Sequence, residues 1–193
     1  MAFENPPSVR TVAGTTRLRL REETAADHAA VDAIYSRFDL GDPRGYRAFL
    51  EAQYACFAPI EQALAVAGAG DLLADWPARR RARLLAADLA DLGAGSLVPG
   101  PSSARLAGPA AALGAIYVLE GSRFGGALLA RRLWTGAPAR FLGGGTDPTA
   151  WRALLAVMDR HLSSDAALAA AVDAARAVFA AFAAAGQLRL EDA

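Results

Sequence analysis

Residues 113–134 read LGAIYVLEGSRFGGALLARRLW, and this stretch decides the fold. Apolar residues recur through it at helical spacing, which predicts one long helix over about residues 110–134. The stretch nevertheless contains four glycines: Gly114, Gly121, Gly125 and Gly126. Each glycine inside a helix costs up to about 1 kcal/mol relative to alanine, so several in one element require an explanation.

Two explanations fit the glycine spacing. Gly114, Gly121 and Gly125 are separated by seven and four residues, which places them on one face of the predicted helix. A second helix could pack closely against that bare face. Alternatively, a flat ligand could lie across it, with room for a small molecule on the far side of the ligand and freedom for the helix to kink. The spacing alone leaves both open.

The rest of the chain extends the helical pattern. Its 193 residues suit one domain, and 54% of them are hydrophobic, largely alanine, with no alternation typical of strands. We predict an all-α bundle of six or more helices, with a flexible tail over 1–16, a helical domain over 17–186 and a C-terminal tail over 187–193. The other predicted helices span about 17–40, 43–67, 78–93, 148–162 and 165–185.

Particular residues mark the ends of these helices. Gly41 is placed to cap the first in a left-handed conformation, and Gly186 to stop the last. Asp-Pro pairs at 42–43 and 147–148 are typical helix starts. Pro59 predicts a kink in the second helix.

Charge and cysteine content exclude several classes of protein. Lys+Arg and Asp+Glu both number 20, so the chain lacks the basic excess of a nucleic-acid binder. The single cysteine, Cys56, cannot form a disulfide within the chain. We see no uncharged apolar run of membrane-spanning length and no apolar core of a signal peptide near the N-terminus. These features predict a cytoplasmic protein without membrane attachment.

A histidine lies on the apolar stripe of the first helix. The stripe is spaced at three, four and three residues, and we expect it to face the interior: His28, Val31, Tyr35 and Phe38. Asp32, four residues after His28, can hold one ring nitrogen while the other binds a metal. Arg21 lies two turns earlier, roughly 10 Å along the same face, where it could meet the edge of a large flat ligand. The alternative is an ordinary core histidine bonded to Asp32.

Two segments together resemble the haem oxygenase family. Residues 20–40, LREETAADHAAVDAIYSRFDL, resemble its proximal helix. Residues 117–132, YVLEGSRFGGALLARR, resemble its distal helix, especially that of bacterial members associated with phytochromes. With the same order and spacing of helices, the resemblance extends over most of residues 17–186. It implies a single-domain haem-oxygenase-like bundle.

The resemblance also assigns site residues. It implies that His28 is the axial iron ligand, Asp32 its supporting carboxylate and Arg21 a partner of the haem propionates. It implies that the distal glycines Gly121, Gly125 and Gly126 lie over the haem. The remaining residues assigned to the pocket are Tyr117, Phe124, Arg152, Arg176 and Phe179. Many members carry an aspartate directly after the first distal glycine, where this chain has Ser122; Ser122, or water held by the glycine backbone, would then supply protons.

The function implied is oxidative cleavage of haem b, which serves as both cofactor and substrate. The products would be biliverdin, carbon monoxide and ferrous iron, formed with O2 and with electrons from an external ferredoxin or reductase. Supply of biliverdin to a bacterial phytochrome and recovery of iron both fit this activity, and the resemblance favours the first. The alternative within the same fold is a haem carrier or sensor without turnover.

Other classes of helical protein fit the sequence less well. A di-iron oxidase needs Glu-x-x-His pairs, but Ala25 and Met158 stand three residues before the two histidines. A thiaminase-like enzyme needs an activated cysteine, whereas the apolar neighbours of Cys56 indicate an inert buried thiol. A purely structural bundle would leave the glycine face without a ligand.

Overall fold

The computed structural model describes residues 15–100 and 106–191. Every regular element in these two ranges is a helix, which confirms the all-α prediction. The helices are α1 (Thr15–Glu23), α2 (Ala25–Tyr35), α3 (Pro43–Val66), α4 (Ala69–Leu72), α5 (Trp76–Arg79), α6 (Ala82–Asp91), α7 (Gly108–Gly121), α8 (Arg123–Ala130), α9 (Arg140–Gly143), α10 (Pro148–His161) and α11 (Asp165–Glu191).

The predicted first helix is two helices in the structure. Thr24 separates α1 from α2, and its buried hydroxyl donates to the Leu20 carbonyl at 2.7 Å. The backbone N–H of Thr24 still bonds the same carbonyl at 3.2 Å, but Thr24 adopts φ −111° and ψ 7°, which interrupts the regular helical dihedrals. The helix also ends at Tyr35 rather than Leu40, and Gly41 does not adopt the left-handed conformation expected of a cap. Residues 1–14 of the predicted tail lie outside the described residues.

The two Asp-Pro starts are confirmed. Asp42 accepts hydrogen bonds from the backbone N–H groups of Arg44 and Gly45, both at 2.9 Å, and Asp147 accepts one from Thr149 at 2.7 Å. These carboxylates satisfy N–H groups that a helix leaves unpaired in its first turn. The helix that starts at Pro43 continues through Pro59 to Val66.

The last helix extends further than expected. We predicted a stop at Gly186 and a tail over 187–193, but α11 continues to Glu191. Gly186 serves close packing instead, because a Cβ there would lie 2.8 Å from side-chain atoms of Ile34 and Tyr35. The end of α11 is therefore fitted against the end of α2.

Helix α11 is the central element of the core. It packs against α2, α3 and α7, and α7 meets it closely at Gly114. A Cβ on Gly114 would lie 2.0 Å from the carbonyl oxygen of Ala171, so the two backbones are in direct contact. For Gly114, close helix packing is therefore the correct explanation of the glycine face.

We expect Gly114→Ala to destabilise the fold strongly. Neither backbone at this contact can move without disturbing its own helix, and overpacking of a core costs about 1–3 kcal/mol or more. Urea unfolding should therefore show a loss of at least about 2 kcal/mol. The control is Gly70→Ala, since a Cβ at Gly70 would meet nothing within 4 Å. Equal stability of the two variants would contradict the contact.

Candidate functional site

His28 lies on the solvent-facing part of α2. Its side chain is 61% exposed, and Nδ1 is 3.0 Å from the Asp32 carboxylate. The ring meets Phe179 of α11 edge-on, with centroids 5.7 Å apart. The expectation that His28 faces the interior is therefore wrong, whereas its predicted contact with Asp32 is present. On the same stripe only Tyr35 and Phe38 are buried.

The Asp32 contact leaves the other ring nitrogen of His28 available. Within the described part of the chain, nothing hydrogen-bonds Nε2. A carboxylate on one nitrogen fixes the tautomer and orients the other, which is the usual support of a metal-bound imidazole. The arrangement suits an iron ligand.

Gly121 and Gly125 face open space. A Cβ at either position would meet no atom within 4 Å. For these two glycines, close packing of another helix is excluded within the described residues. Their backbone is free to contact a flat ligand directly.

Gly126 differs from the expectation that it lies over the haem. It is buried, and a Cβ there would lie 2.9 Å from the Leu142 carbonyl oxygen. Adjacent residues on a helix point in directions about 100° apart, so Gly126 faces α9 while Gly125 faces solvent. Gly126 allows α8 to pack closely on α9.

The long glycine helix is broken at Ser122. Helix α7 ends at Gly121 and α8 begins at Arg123. The Ser122 hydroxyl donates to the Leu119 carbonyl at 2.7 Å and accepts a hydrogen bond from Arg81. The break lies at the glycines, where the sequence had allowed a kink.

Aromatic side chains form a wall beside α7 and α8. Trp151 of α10 contacts Tyr117 and Phe124, with ring centroids 5.8 and 5.1 Å apart. The guanidinium of Arg17 lies over the Trp151 ring, 5.9 Å from its centroid. Phe124 remains 54% exposed, so the wall presents apolar surface to solvent.

The predicted propionate partners have different environments. Arg21 is exposed and makes no hydrogen bond or ion pair with the described residues. Burial raises the pKa of Tyr117, but the positive charge of Arg21 opposes this shift, so Arg21 lies within electrostatic reach of α7. Arg152 bonds to Pro148 and Thr149 in the first turn of its own helix.

Arg176 is already engaged by α1 and α2. It donates to the Glu23 carbonyl at 2.8 Å and forms ion pairs with Glu23 and Asp27. A role in anion binding would require it to leave these partners. These contacts join α11 to α1 and to α2, the helix that carries His28.

A buried ionic cluster, which the sequence did not predict, lies behind the break at Ser122. We expected the arginines near residue 80 to belong to one basic helix, but the structure splits this segment into α5 and α6 and buries two of them. The cluster consists of Glu61, Arg79, Arg81, Glu120 and Arg123. A signal was present, because Glu61 and Glu120 occur in otherwise apolar stretches and buried carboxylates need partners.

Cys56 is an inert thiol in this structure. It is 4% exposed and lies 3.3 Å from the Ala181 carbonyl. Burial raises the pKa of the Cys56 thiol to about 12. This environment does not suit the nucleophile of a thiaminase-like enzyme, which needs a lowered pKa.

We expect iodoacetamide to label Cys56 very slowly in the folded protein. Because only the thiolate reacts, alkylation at pH 8 should be more than about 1,000-fold slower than that of a free thiol. Mass spectrometry can follow the labelling, and protein unfolded in urea is the control with full reactivity. Rapid labelling of the native protein would show that the thiol is accessible.

The described residues provide no multi-carboxylate metal centre. In 15–100 and 106–191, no group of three or more His, Cys, Asp or Glu side chains is placed to hold a metal ion. A di-iron site built in that way has no ligand set there.

Comparison with known proteins identifies the family. Over 115 residues the chain is 39% identical to a protein from Xanthomonas campestris pv. campestris (strain 8004) named "Heme oxygenase", an alignment covering 55% of this chain and 67% of the relative. The chain belongs to the haem oxygenase family. It is therefore an enzyme of that class, an oxidoreductase, as its resemblance implied. No family model matches the chain.

The fold agrees with this family. The structure matches the NO- and CO-bound haem oxygenase of Neisseria meningitidis with a TM-score of 0.74, at 22% identity. The match covers 94% of this chain and 92% of the other. At this identity it establishes the haem oxygenase fold, while the roles of individual residues depend on their geometry.

Proposed function

We propose that this haem oxygenase binds haem b through His28 and cleaves it to biliverdin, carbon monoxide and ferrous iron, using O2 and electrons from an external donor. One observation carries the proposal. An exposed imidazole, fixed at Nδ1 by Asp32, occurs together with bare backbone at Gly121 and Gly125. Helix α2, which carries His28, and helix α7, which ends at Gly121, both pack on α11.

His28 would hold the haem iron through Nε2. The Asp32 carboxylate lies 3.0 Å from Nδ1, where it would accept a hydrogen bond from the Nδ1–H group, so the imidazole would bind as the neutral tautomer with increased basicity. Phe179 restricts the ring from its edge. The bound haem would supply both the iron that activates O2 and the ring that is cleaved.

Gly121 and Gly125 would provide room on the other side of the haem plane. The absence of side chains lets the α7–α8 backbone approach closely and leaves space for a diatomic molecule. The exposed faces of Phe124 and Trp151 extend this region with apolar surface suited to a porphyrin. Such a surface would exclude water, and the exclusion of water strengthens the hydrogen bonds that remain within the site.

Ser122 would hold a proton-carrying water rather than act as an acid itself. Its own proton is committed to the Leu119 carbonyl, and Arg81 donates to its oxygen. A hydroxyl oxygen has two acceptor sites, so one remains for water. This differs from the aspartate that many members carry at this position.

Arg21 would pair with a propionate and fix the rotation of the haem in its plane. It is exposed and uncommitted among the described residues, which leaves its guanidinium available for bidentate contact with a carboxylate. Arg152, whose bonds to its own helix are long and exposed, is the second candidate.

We further propose a cytoplasmic protein that takes electrons from a ferredoxin or reductase and supplies biliverdin to a phytochrome. Among the described helices, α11 alone has the length and composition of a membrane span. It packs against α1, α2, α3 and α7, which is the position of a core helix.

Aerobic turnover tests the proposal. Purified protein is titrated with hemin, then reduced under air with ascorbate or with ferredoxin and its reductase, with catalase present to remove free peroxide. We expect loss of the Soret band and release of biliverdin, measured by chromatography, together with carbon monoxide, measured by its capture on myoglobin. A stable haem complex would instead indicate a carrier or sensor and would refute the cleavage proposal.

A further inference from the structure

Two arginines are buried directly behind the break in the distal helix. Arg79 and Arg81 are 5% and 4% exposed, and their carboxylate neighbours Glu61 and Glu120 are 1% and 5% exposed. Removing such charges from water is costly unless each group is closely paired. A cluster of this kind therefore requires a reason beyond filling the core.

Arg81 contacts Ser122, which is the break itself, and Leu119 in the last turn of α7. One of its terminal nitrogens, Nη2, donates to the carbonyl of Leu119 and to the hydroxyl of Ser122. In an uninterrupted helix, the Leu119 carbonyl would pair with the N–H of residue 123. Arg81 thus satisfies a backbone acceptor at the point where α7 gives way to α8.

The guanidinium of Arg81 packs against two aromatic rings that are nearly perpendicular to each other. Its central carbon lies 4.6 Å from the ring centroid of Phe57 and 4.9 Å from that of Phe141. Glu61 fixes the backbone of the same residue by accepting hydrogen bonds from the N–H groups of Arg81 and Ala82. These contacts therefore hold the Nη2 donor of Arg81 in a fixed position at the break.

A second set of contacts joins the helices on both sides of the break to α5. Glu120 pairs with Arg79 at 3.0 Å and with Arg123 at 2.9 Å. Arg123 also donates to the Arg79 carbonyl at 2.7 Å. The last turn of α7 and the first residue of α8 are consequently anchored to the same short segment, residues 79–81.

We propose that Arg81 is a positioning residue for haem cleavage: it fixes the break between α7 and α8 and so sets the height of Gly125 and the direction of the Ser122 hydroxyl over the haem. The inference depends on the proposed function, because it assigns a task to that site. Lysine should substitute poorly, because its ammonium is more strongly hydrated than a guanidinium and lacks the planar surface that packs against the Phe57 and Phe141 rings.

Arg81→Lys tests the proposal, with Arg80→Lys as the matched control. The Arg80 side chain is 43% exposed and reaches only Glu61, at 3.4 Å. In the haem-free protein, we expect amide hydrogen exchange over residues 119–126 to rise about 10-fold in Arg81→Lys, the scale of one lost charged hydrogen bond. Exchange over α2 should stay unchanged, and Arg80→Lys should match wild type throughout.

The haem-loaded protein gives a second readout. Hemin affinity should change less than about 3-fold in Arg81→Lys, because His28 is untouched, while turnover falls about 10-fold and the ratio of biliverdin isomers shifts. Unchanged exchange and unchanged isomers in a folded variant would overturn the positioning role. So would a uniform rise in exchange that included α2, because that would indicate a general loss of stability.

Ser122→Ala keeps the proposal testable if Arg81→Lys does not fold. It removes one of the two acceptors at the break and leaves the Leu119 carbonyl to Arg81. We expect a smaller increase in exchange confined to residues 119–126, and no local increase would count against the proposal. Failure of the wild-type protein to take up hemin would instead refute the proposed function. Because the hydrogen-exchange measurement uses haem-free protein, the two failures can be distinguished.

Discussion

His28→Ala is expected to abolish haem cleavage and to weaken hemin binding by at least about 100-fold. Changes in groups that merely orient a metal ligand cost 10–100-fold, so loss of the ligand itself should reach the top of that range. The fold should be unaffected, because the side chain is 61% exposed and packs only on the edge of Phe179. Unfolding free energy should change by less than about 0.5 kcal/mol.

Hemin titration and the electronic spectrum of the ferric complex provide the measurement. His161→Ala is the matched control, since it removes the only other histidine, at the exposed end of α10. Free imidazole added to His28→Ala should restore the wild-type spectrum in part. A variant spectrum identical to that of wild type would remove the assignment of His28 as the iron ligand.

Gly125→Leu is expected to cost about 100-fold in turnover while leaving the haem-free protein stable. The new side chain meets no protein atom near its Cβ, but it would occupy the space in which we propose that the haem plane lies. A displacement of reacting groups by about 1 Å is enough to cost 100-fold. Gly125→Ala should be more stable than wild type by up to about 1 kcal/mol and yet slower, because alanine is the better helix former.

Ala127→Leu on the same helix is the control. Two residues along α8 correspond to a rotation of about 200°, so this exposed position points away from Gly125. Urea unfolding and biliverdin formation should be measured for all three variants. Wild-type turnover in Gly125→Leu would show that the open backbone at this position does not face the haem.

Features that depend on near neighbours in the chain were predictable from the sequence. The Asp42 and Asp147 caps need only the following two or three residues, and the His28–Asp32 contact needs one helical turn. The all-α fold followed from composition and periodicity. Helix ends were less predictable, because the break at Thr24 is a local change of backbone dihedrals that the spacing of apolar residues does not record.

Features set by distant partners could not be predicted. Gly114 and Gly121 share the same local pattern, yet one contacts Ala171 and the other faces open space, and only the packing of α11 distinguishes them. The burial of Arg81 depends on Glu61 and Ser122, which lie 20 and 41 residues away along the chain. A run of three arginines looks like a solvated surface until those partners are known.

The crossing at Gly114 has a mechanical consequence. Where two helices meet through side chains, each can slide past the other as rotamers change, but backbone against backbone offers no such adjustment. We therefore expect α7 to turn about this point rather than shift along α11, so that small rotations there become larger displacements at its far end, near Gly121. Any change in the position of the Gly121 backbone relative to His28 would then arise by rotation about the Gly114 contact in the core.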